Sequence, residues 1–413
     1  MAPPDPVFIA ETLTQSRAQA VAALLRYFHD LDMALAAFQE ASLRAQQQWT
    51  RAGMPHNPLA WLIVSGRNAG ADAQRRNASR AALAPAGELL SDQGEAAAAM
   101  LTQLDQAPYR DDVLRLLFIC CHPTLPPQYQ MALALRVVSG LPVERIARAF
   151  LIKPAAMEQR IMQAKRSAGE AGISFEPPDS RQREERMLAV MAMICLMFNE
   201  GYAASVGREH IRIELCEEAI RLARLLVRMF PRDGGALGLS ALLMLQHART
   251  AARLDARGAL VMLAEQDRKR WDHGLIDEAL ELVEQALNCR QLGPYQIQAA
   301  IAAVHAQADT ARHTDWAEID RLYRVLETVL PSPVVTLNRS VAIDRLRGPT
   351  AALKMIEPLA EQLSGYAYYF GVRSLLLKRL GRITEASEAL RKAHTLARSA
   401  PRTAHIAQTL DLF

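Results

Sequence analysis

The sequence predicts an all-α protein in which two short helical modules precede a long array of helix pairs. Three observations carry that expectation. Ala and Leu dominate a chain that is 50% hydrophobic and 6% aromatic, a balance that favours helix over sheet. Apolar residues recur at three- and four-residue spacing through nearly every segment, without sustained alternation of period two. Gly and Pro fall mostly between the periodic stretches, where they end helices.

At 413 residues the chain is expected to form two or three domains with sizeable cores. Its formal charge of +4 is too small to imply nucleic acid by itself, so the distribution of charge matters more than the sum. Residues 61–80 carry four Arg against one Asp, and residues 131–170 carry seven Lys or Arg against three Glu. Between these basic stretches, residues 81–115 carry six acids against two Arg, an acidic and Ala-rich spacer. Five cysteines, two of them adjacent, give no disulfide framework and suit a reducing compartment. The opening MAPPDPVFIAETL lacks the basic and long apolar regions of a signal peptide, and no apolar run is long enough to span a bilayer. A cytoplasmic protein without membrane contact is expected.

From Arg17 onward Ala20, Leu24 and Phe28 mark one helical face, and His29-Asp30-Leu31-Asp32 reads as a turn with Asp32 as the next helix cap. A second helix runs from Met33 to about Trp49. The segment Ala52 to Pro58 breaks it, and a third runs from Leu59 to about Arg80. This third helix carries Trp61, Leu62, Arg67, Asn68, Asp72, Arg75 and Arg76. An exposed aromatic with Arg and Asn at helical spacing can stack on an unpaired base and hold phosphates. A core Trp with solvated arginines has the same pattern and is the more frequent arrangement.

The stretch Met131 to Ala171 holds two short helical patterns and a tight joint. Leu141, Ile146, Ala147 and Phe150 share one face, Met157, Ile161 and Ala164 the next, and Pro154 suits the first turn of the second helix. With the apolar faces inward, Lys153, Ala155, Glu158, Gln159, Arg160, Gln163, Lys165 and Arg166 point outward. Long polar side chains for base edges and cations for phosphates are what a recognition helix needs. An ordinary helical hairpin with a charged, solvated face fits the same residues.

After Glu176-Pro177-Pro178-Asp179, a domain boundary by composition, the chain becomes a succession of helix pairs. Residues 364–397 resemble one tetratricopeptide unit of the usual 34-residue period, Pro333 to Leu363 the unit before it, and Cys216 to His247 a looser pair upstream. Stacked units of this kind bury a continuous core and leave a concave face for a protein or peptide partner.

No Gly-rich phosphate loop and no nucleophile–base set occurs, so an enzyme is not expected, and neither is a cofactor. Cys120-Cys121-His122 lacks a second ligand pair at zinc-like spacing and reads as a buried structural segment. His305 and Asp309, with His313 and Asp315 beyond, read as a capped, solvated helix end. Gln266, Asp267, Arg268, Trp271 and Asp272 mix charge with an aromatic and suit an inter-repeat turn or a regulatory surface.

Trp61-Leu62, Arg67-Asn68, Asp72 and Arg75-Arg76 resemble the promoter-melting helix of region 2 in extracytoplasmic-function (ECF) RNA polymerase sigma factors. Gln39-Glu40-Ala41 resembles the preceding helix, which docks on core polymerase. Met131 to Ala171 resembles region 4, the helix-turn-helix that reads the upstream promoter element. The likeness is closer to the subgroup with a long C-terminal extension, through Asp111-Asp112, Leu114-Arg115-Leu116, Phe118 and Cys120-Cys121-His122-Pro123, then Phe198-Asn199-Glu200-Gly201-Tyr202. Glu217 to Leu222, the Gln266 to Asp272 cluster, Pro294-Tyr295-Gln296, Gln298-Ala299-Ala300, Thr314-Asp315-Trp316, Ser332-Pro333 and Leu337-Asn338-Arg339 extend it.

The resemblance implies region 2 over residues 7–80, an acidic Ala-rich linker over 81–109, region 4 over 110–175 and a helical-repeat regulatory extension over 180–413. It implies that Asp32, Gln39 and Glu40 contact core polymerase, on its beta-prime subunit. Trp61, Arg67, Asn68, Arg75 and Arg76 would engage promoter DNA at one element, and Lys153, Gln159, Arg160, Gln163, Lys165 and Arg166 at the other. Asn199, Glu200 and Tyr202 would join the Gln266 to Asp272 cluster in a regulatory surface. The chain departs from the pattern where an acidic pair is usual, at Leu35 and Ala36. It departs again at Ala156, where a Thr is usual, and at Glu158, which places an anion where phosphates pass. These departures fit a second expectation, a non-initiating scaffold whose repeats bind protein and whose front half is a degenerate DNA anchor.

Overall fold

The computed structural model describes residues 6–81, 113, 116–122, 124–150, 152–170, 180–204, 213–253, 255, 261–289 and 292–399. The fold is all-α, with no strand among these residues. The expected linker lies outside them apart from residue 81, as do Asp111, Asp112, Leu114, Arg115, Pro123 and the Glu176 to Asp179 boundary. The chain divides into two compact units, residues 1–193 and 194–413, with the division inside one long helix.

The first unit opens with α1 (Pro6–Phe28), α2 (Leu31–Ala52) and α3 (Pro58–Ala81), each packed on the other two. Helix α1 begins well ahead of Arg17 because Ile9 and Leu13 continue the Ala20–Leu24 stripe backwards into the core. In α2 the residues Ala34, Ala37, Phe38, Ala41, Ala45 and Trp49 are buried at three- and four-residue steps. The sequence points to Asp32 as its N-cap, but the cap is Asp30. His29, with φ 53°, ends α1; Asp30 then extends, and its carboxylate accepts from the Met33 amide at 2.9 Å. Helix α3 starts on Asn57, whose side chain accepts from the Ala60 amide at 3.0 Å. It lies close on α1, since a Cβ on Gly70 would stand 2.2 Å from the Phe28 ring.

A helical segment at residues 116–120 then leads to α4 (Pro127–Val137), α5 (Val143–Ala149) and α6 (Pro154–Glu170), which pack pairwise. Met131 to Leu135 and Val137 are buried on every side of α4, which makes it the centre of this module. Met157, Ile161, Ala164 and Ala168 form the buried stripe of α6. Helix α7 (Ser180–Ala204) contains the division between the units.

The second unit continues with α8 (Ile213–Met229), α9 (Gly234–His247), α10 (His273–Leu287), α11 (Pro294–Gln307), α12 (Trp316–Val329), α13 (Pro333–Arg347), α14 (Pro349–Ile356), α15 (Ala367–Arg379) and α16 (Ile383–Ser399). Each packs on its neighbour in sequence, and α9 also packs on α11. Side-chain caps begin α9, α10, α12 and α13, from Asp233, Asp272, Asp315 and Ser332. Charged pairs tie helices of this unit to one another. Asp320 on α12 meets Arg339 on α13 at 2.7 Å, and Asp344 on α13 pairs with Arg379 on α15.

Candidate nucleic-acid interface

The exposed face of α6 is set by its buried stripe: with Met157, Ile161 and Ala164 inward, Lys153, Glu158, Gln159, Gln163 and Arg166 face solvent. Ala155 and Ala156 are exposed beside them, so small side chains leave room at the helix N-terminus for the backbone of a ligand to approach. Two of the residues expected to point outward do not. Arg160 is half-buried, with its guanidinium carbon 5.8 Å from the Tyr129 ring centroid and 5.9 Å from that of Phe150. Its aliphatic stem lies over apolar surface that the helix partners supply, and the charge sits against two aromatic faces. Lys165 is also half-buried and pairs with Asp32 on α2.

Gln163 keeps an exposed position, and its carbonyl oxygen accepts from the Tyr129 hydroxyl at 3.0 Å. Tyr129 on α4 therefore touches both Arg160 and Gln163. Sequence reasoning missed it because its role depends on a contact across 34 positions of chain. The turn between α4 and α5 needs Gly140, whose φ is 73°; the one between α5 and α6 is closed by the Ile152 amide donating to Ala147 O at 3.0 Å.

In the three-helix module, Gln39 and Glu40 lie exposed on α2, and Glu40 pairs with Arg44 one turn on. Trp61 is half-buried and edge-on to Trp49, with ring centroids 5.4 Å apart. Arg67 lies 4.3 Å over the Tyr27 ring, while Asn68 and Arg75 are exposed, Arg75 facing Asp72 at 3.8 Å. Arg76 lies on α3. Leu35 is half-buried and Ala36 exposed, so the usual acidic pair is replaced on a face that solvent reaches.

Cys120 and Cys121 are buried, and desolvation raises both thiols above their ordinary range. Next to them, Phe118 receives Arg186 of α7 at 5.6 Å. In the second unit, Asn199, Tyr202 and Trp271 are buried, so they form interior contacts and not a solvent-facing surface; Glu200 is half-buried. Tyr202 takes the Arg253 guanidinium 3.5 Å over its ring. Asp267 caps a short 3-10 turn through the Lys269 amide, Arg268 donates to the carbonyls of His305 and Ala308, and Asp272 caps α10. Gln266 donates to Val261 O at 3.1 Å. His305 is buried and not at a solvated helix end: it stands edge-on to Trp316 at 5.3 Å, and α11 carries it into the packed face. Burial first, then the nearby Arg249 and Arg268, lower its pKa to about 3.

Residues 115–167, the span that holds α4, α5 and most of α6, match sigma-70 region 4. Residues 186–287 match a family of unknown function (DUF6596). An uncharacterized protein of Rhizobium meliloti (strain 1021) is 54% identical over 407 residues, covering 98% of this chain and 96% of that one. The chain belongs to the family of this rhizobial protein. It is sigma-factor-like, with a region 4 helix-turn-helix joined to a helical C-terminal unit that begins within the family of unknown function. Among the described residues no helix is long and apolar enough to cross a membrane.

Proposed function

We propose that the chain is an ECF-type sigma factor that directs core RNA polymerase to specific promoters and starts transcription there. The observation that carries this reading is the region 4 match on a three-helix module whose α6 presents Lys153, Gln159, Gln163 and Arg166 to solvent. Base-edge donors and acceptors alternate there with phosphate-holding cations, the division of labour that site-specific DNA binding uses. Arg160 joins the set from its aromatic seat, and Lys165 joins once its pairing with Asp32 is released.

In this reading Gln39 and Glu40 on α2, with Asp32 nearby, contact polymerase at its beta-prime subunit. Trp61, Arg67, Asn68, Arg75 and Arg76 on α3 engage the downstream promoter element. Polymerase makes two weak DNA contacts bivalent, so neither module needs high affinity alone. The C-terminal unit is a tetratricopeptide-like regulatory array that takes a protein or peptide partner. Its buried Tyr202 and Trp271 and its half-buried Arg268 set the angle between helix pairs and do not themselves meet that partner. The protein acts in the cytoplasm, without a catalytic site or cofactor.

The test mixes the purified chain with core polymerase and a promoter-library template and sequences the transcripts. Core association with transcripts from a common promoter motif is the expected result; absence of both removes the reading. A second reading, a non-initiating scaffold, is favoured by Glu158 exposed among the α6 cations and by Leu35 and Ala36 on α2. It gives DNA or protein binding without transcripts.

A further inference from the structure

Two ties cross the first unit from the α1–α3 bundle to the region 4 helices. Arg17 of α1 donates from Nε to Val137 O at 3.1 Å and from a terminal nitrogen to Arg136 O at 3.3 Å. These are carbonyls of the last turn of α4, the negative end of that helix, where a cation is favoured. Arg17 is placed for this because it lies on the apolar stripe of α1, between Leu13 and Val21, and is backed by the Phe38 ring at 5.0 Å. Gly140 leaves the space it fills, since a Cβ there would stand 2.5 Å from Nε. The second tie is the Asp32–Lys165 ion pair, from the first turn of α2 to the middle of α6.

We propose that these ties form a self-occupying interface, in which the polymerase-facing edge of α2 and the DNA-facing side of α6 serve as each other's partner until polymerase takes Asp32. The inference rests on the proposed DNA-facing role of α6. Lys165 paired with a carboxylate is electrically spent: a phosphate must displace Asp32 before Lys165 can release a counterion from DNA. The Asp32 side chain is 75% exposed and that of Lys165 23%. A pair so open to water is weak and separable, which is what a competing polymerase cation requires. The Arg17 tie is charge-assisted and drier, so it sets the closed arrangement while the Asp32–Lys165 pair senses the partner. Polymerase binding and DNA binding thereby reinforce each other through one side-chain exchange.

The experiment uses the full chain and two readouts. A zero-length carbodiimide cross-link between Asp32 and Lys165, identified by peptide mass spectrometry, reports the closed interface. Anisotropy of a fluorescent random-sequence DNA duplex reports the freed face of α6 without polymerase. The cross-link should form in the native chain and fall when core polymerase is added. Asp32→Asn should raise duplex affinity about 5-fold, the scale of one weak ion pair, and Arg17→Ala should raise it further. Arg17→Lys keeps the charge without the paired donors and should fall between the native chain and Arg17→Ala, which guards against a misfolded alanine variant. Absence of the cross-link in the native chain, or equal and measurable duplex binding by the native chain and both variants, overturns the proposal while leaving the DNA role of α6 standing. If no variant binds duplex even at low salt, the DNA role of α6 fails and takes this inference with it.

Discussion

Trp61 stands edge-on to Trp49, the ring centroids 5.4 Å apart and the planes at 66°. Trp49 is 2% exposed, so removing its ring leaves a cavity under α3, and Trp49→Ala should cost about 3–5 kcal/mol. Trp61 is half-buried and still has a face toward solvent, so Trp61→Ala should cost less, about 1–3 kcal/mol. Urea unfolding midpoints of the two variants check this. Equal losses would mean that Trp61 is core alone and has no face left for a base.

Arg160 and Gln163 share Tyr129 as a neighbour, and in the proposed reading Arg160 meets a base edge while Lys153 meets a phosphate. Arg160→Ala should lower affinity for the preferred promoter element by about 1–3 kcal/mol and flatten discrimination among sequences. Lys153→Ala should weaken binding to all sequences alike and reduce the slope of log affinity against log salt by about one. Salt titrations on matched and scrambled duplexes tell the two effects apart. If Lys153→Ala changed sequence preference, the assignment of base and phosphate contacts along α6 would be wrong.

In the C-terminal unit, Asp320 accepts from Arg324 at 2.6 Å and from Arg339 at 2.7 Å, and Arg339 also meets Glu327 at 2.7 Å. Burial alone would raise the Asp320 pKa, but the two arginines hold it below the ordinary carboxylate value. Arg339→Ala removes the contacts to Asp320 and Glu327 together but leaves Asp320 paired with Arg324, and should cost about 1–3 kcal/mol. Arg379→Ala leaves Asp344, whose side chain is 6% exposed, without the second arginine that Asp320 keeps, and should cost more, about 3–5 kcal/mol. Chemical denaturation of the two variants ranks them, and the reverse order would contradict this account.

His305 ties stability to pH. The folded chain holds it neutral down to about pH 3, whereas its ordinary value is 6.5, so below that value the unfolded chain binds the extra proton. Its contribution is therefore complete above pH 6.5 and is lost as pH falls toward 3. Comparing unfolding free energies at about pH 7.5 and about pH 5, His305→Gln should lose distinctly less than the native chain. An equally steep loss in the variant would assign the proton uptake to other groups.

Gly140→Ala should destabilise the first unit for two separable reasons. The left-handed φ of 73° costs about 1–2 kcal/mol with a side chain, and the new methyl meets Arg17. In an Arg17→Ala background only the backbone cost should remain, and a double-mutant cycle measures the difference. Strict additivity would show that Arg17 does not occupy the space beside Gly140.

Much of this molecule was legible in the chain itself. The stripes Ala34–Phe38–Ala41–Ala45 and Met157–Ile161–Ala164 define which faces of α2 and α6 are buried, because three- and four-residue spacing is a local property. The joint at Pro154 and the run of helix pairs behind it follow from the same short-range chemistry. One cap was misplaced. Asp30 and Asp32 are equivalent as residue types, and only the backbone extension at Asp30 decides between them.

Periodicity says which face of a helix is buried but not what covers it. That Lys165 finds Asp32 across 133 positions, that Arg17 on an apolar stripe ends on the carbonyls of Arg136 and Val137, and that Arg160 lies between Tyr129 and Phe150 were decided only by the tertiary structure. The same holds for His305, whose neighbours Arg249, Arg268 and Trp316 come from other helices and turn a polar residue near a helix end into a buried, neutral one. The physical reason is common to all four. A polar or charged side chain has little preference for its own helix, so its partner is fixed by which surfaces the packed helices bring together.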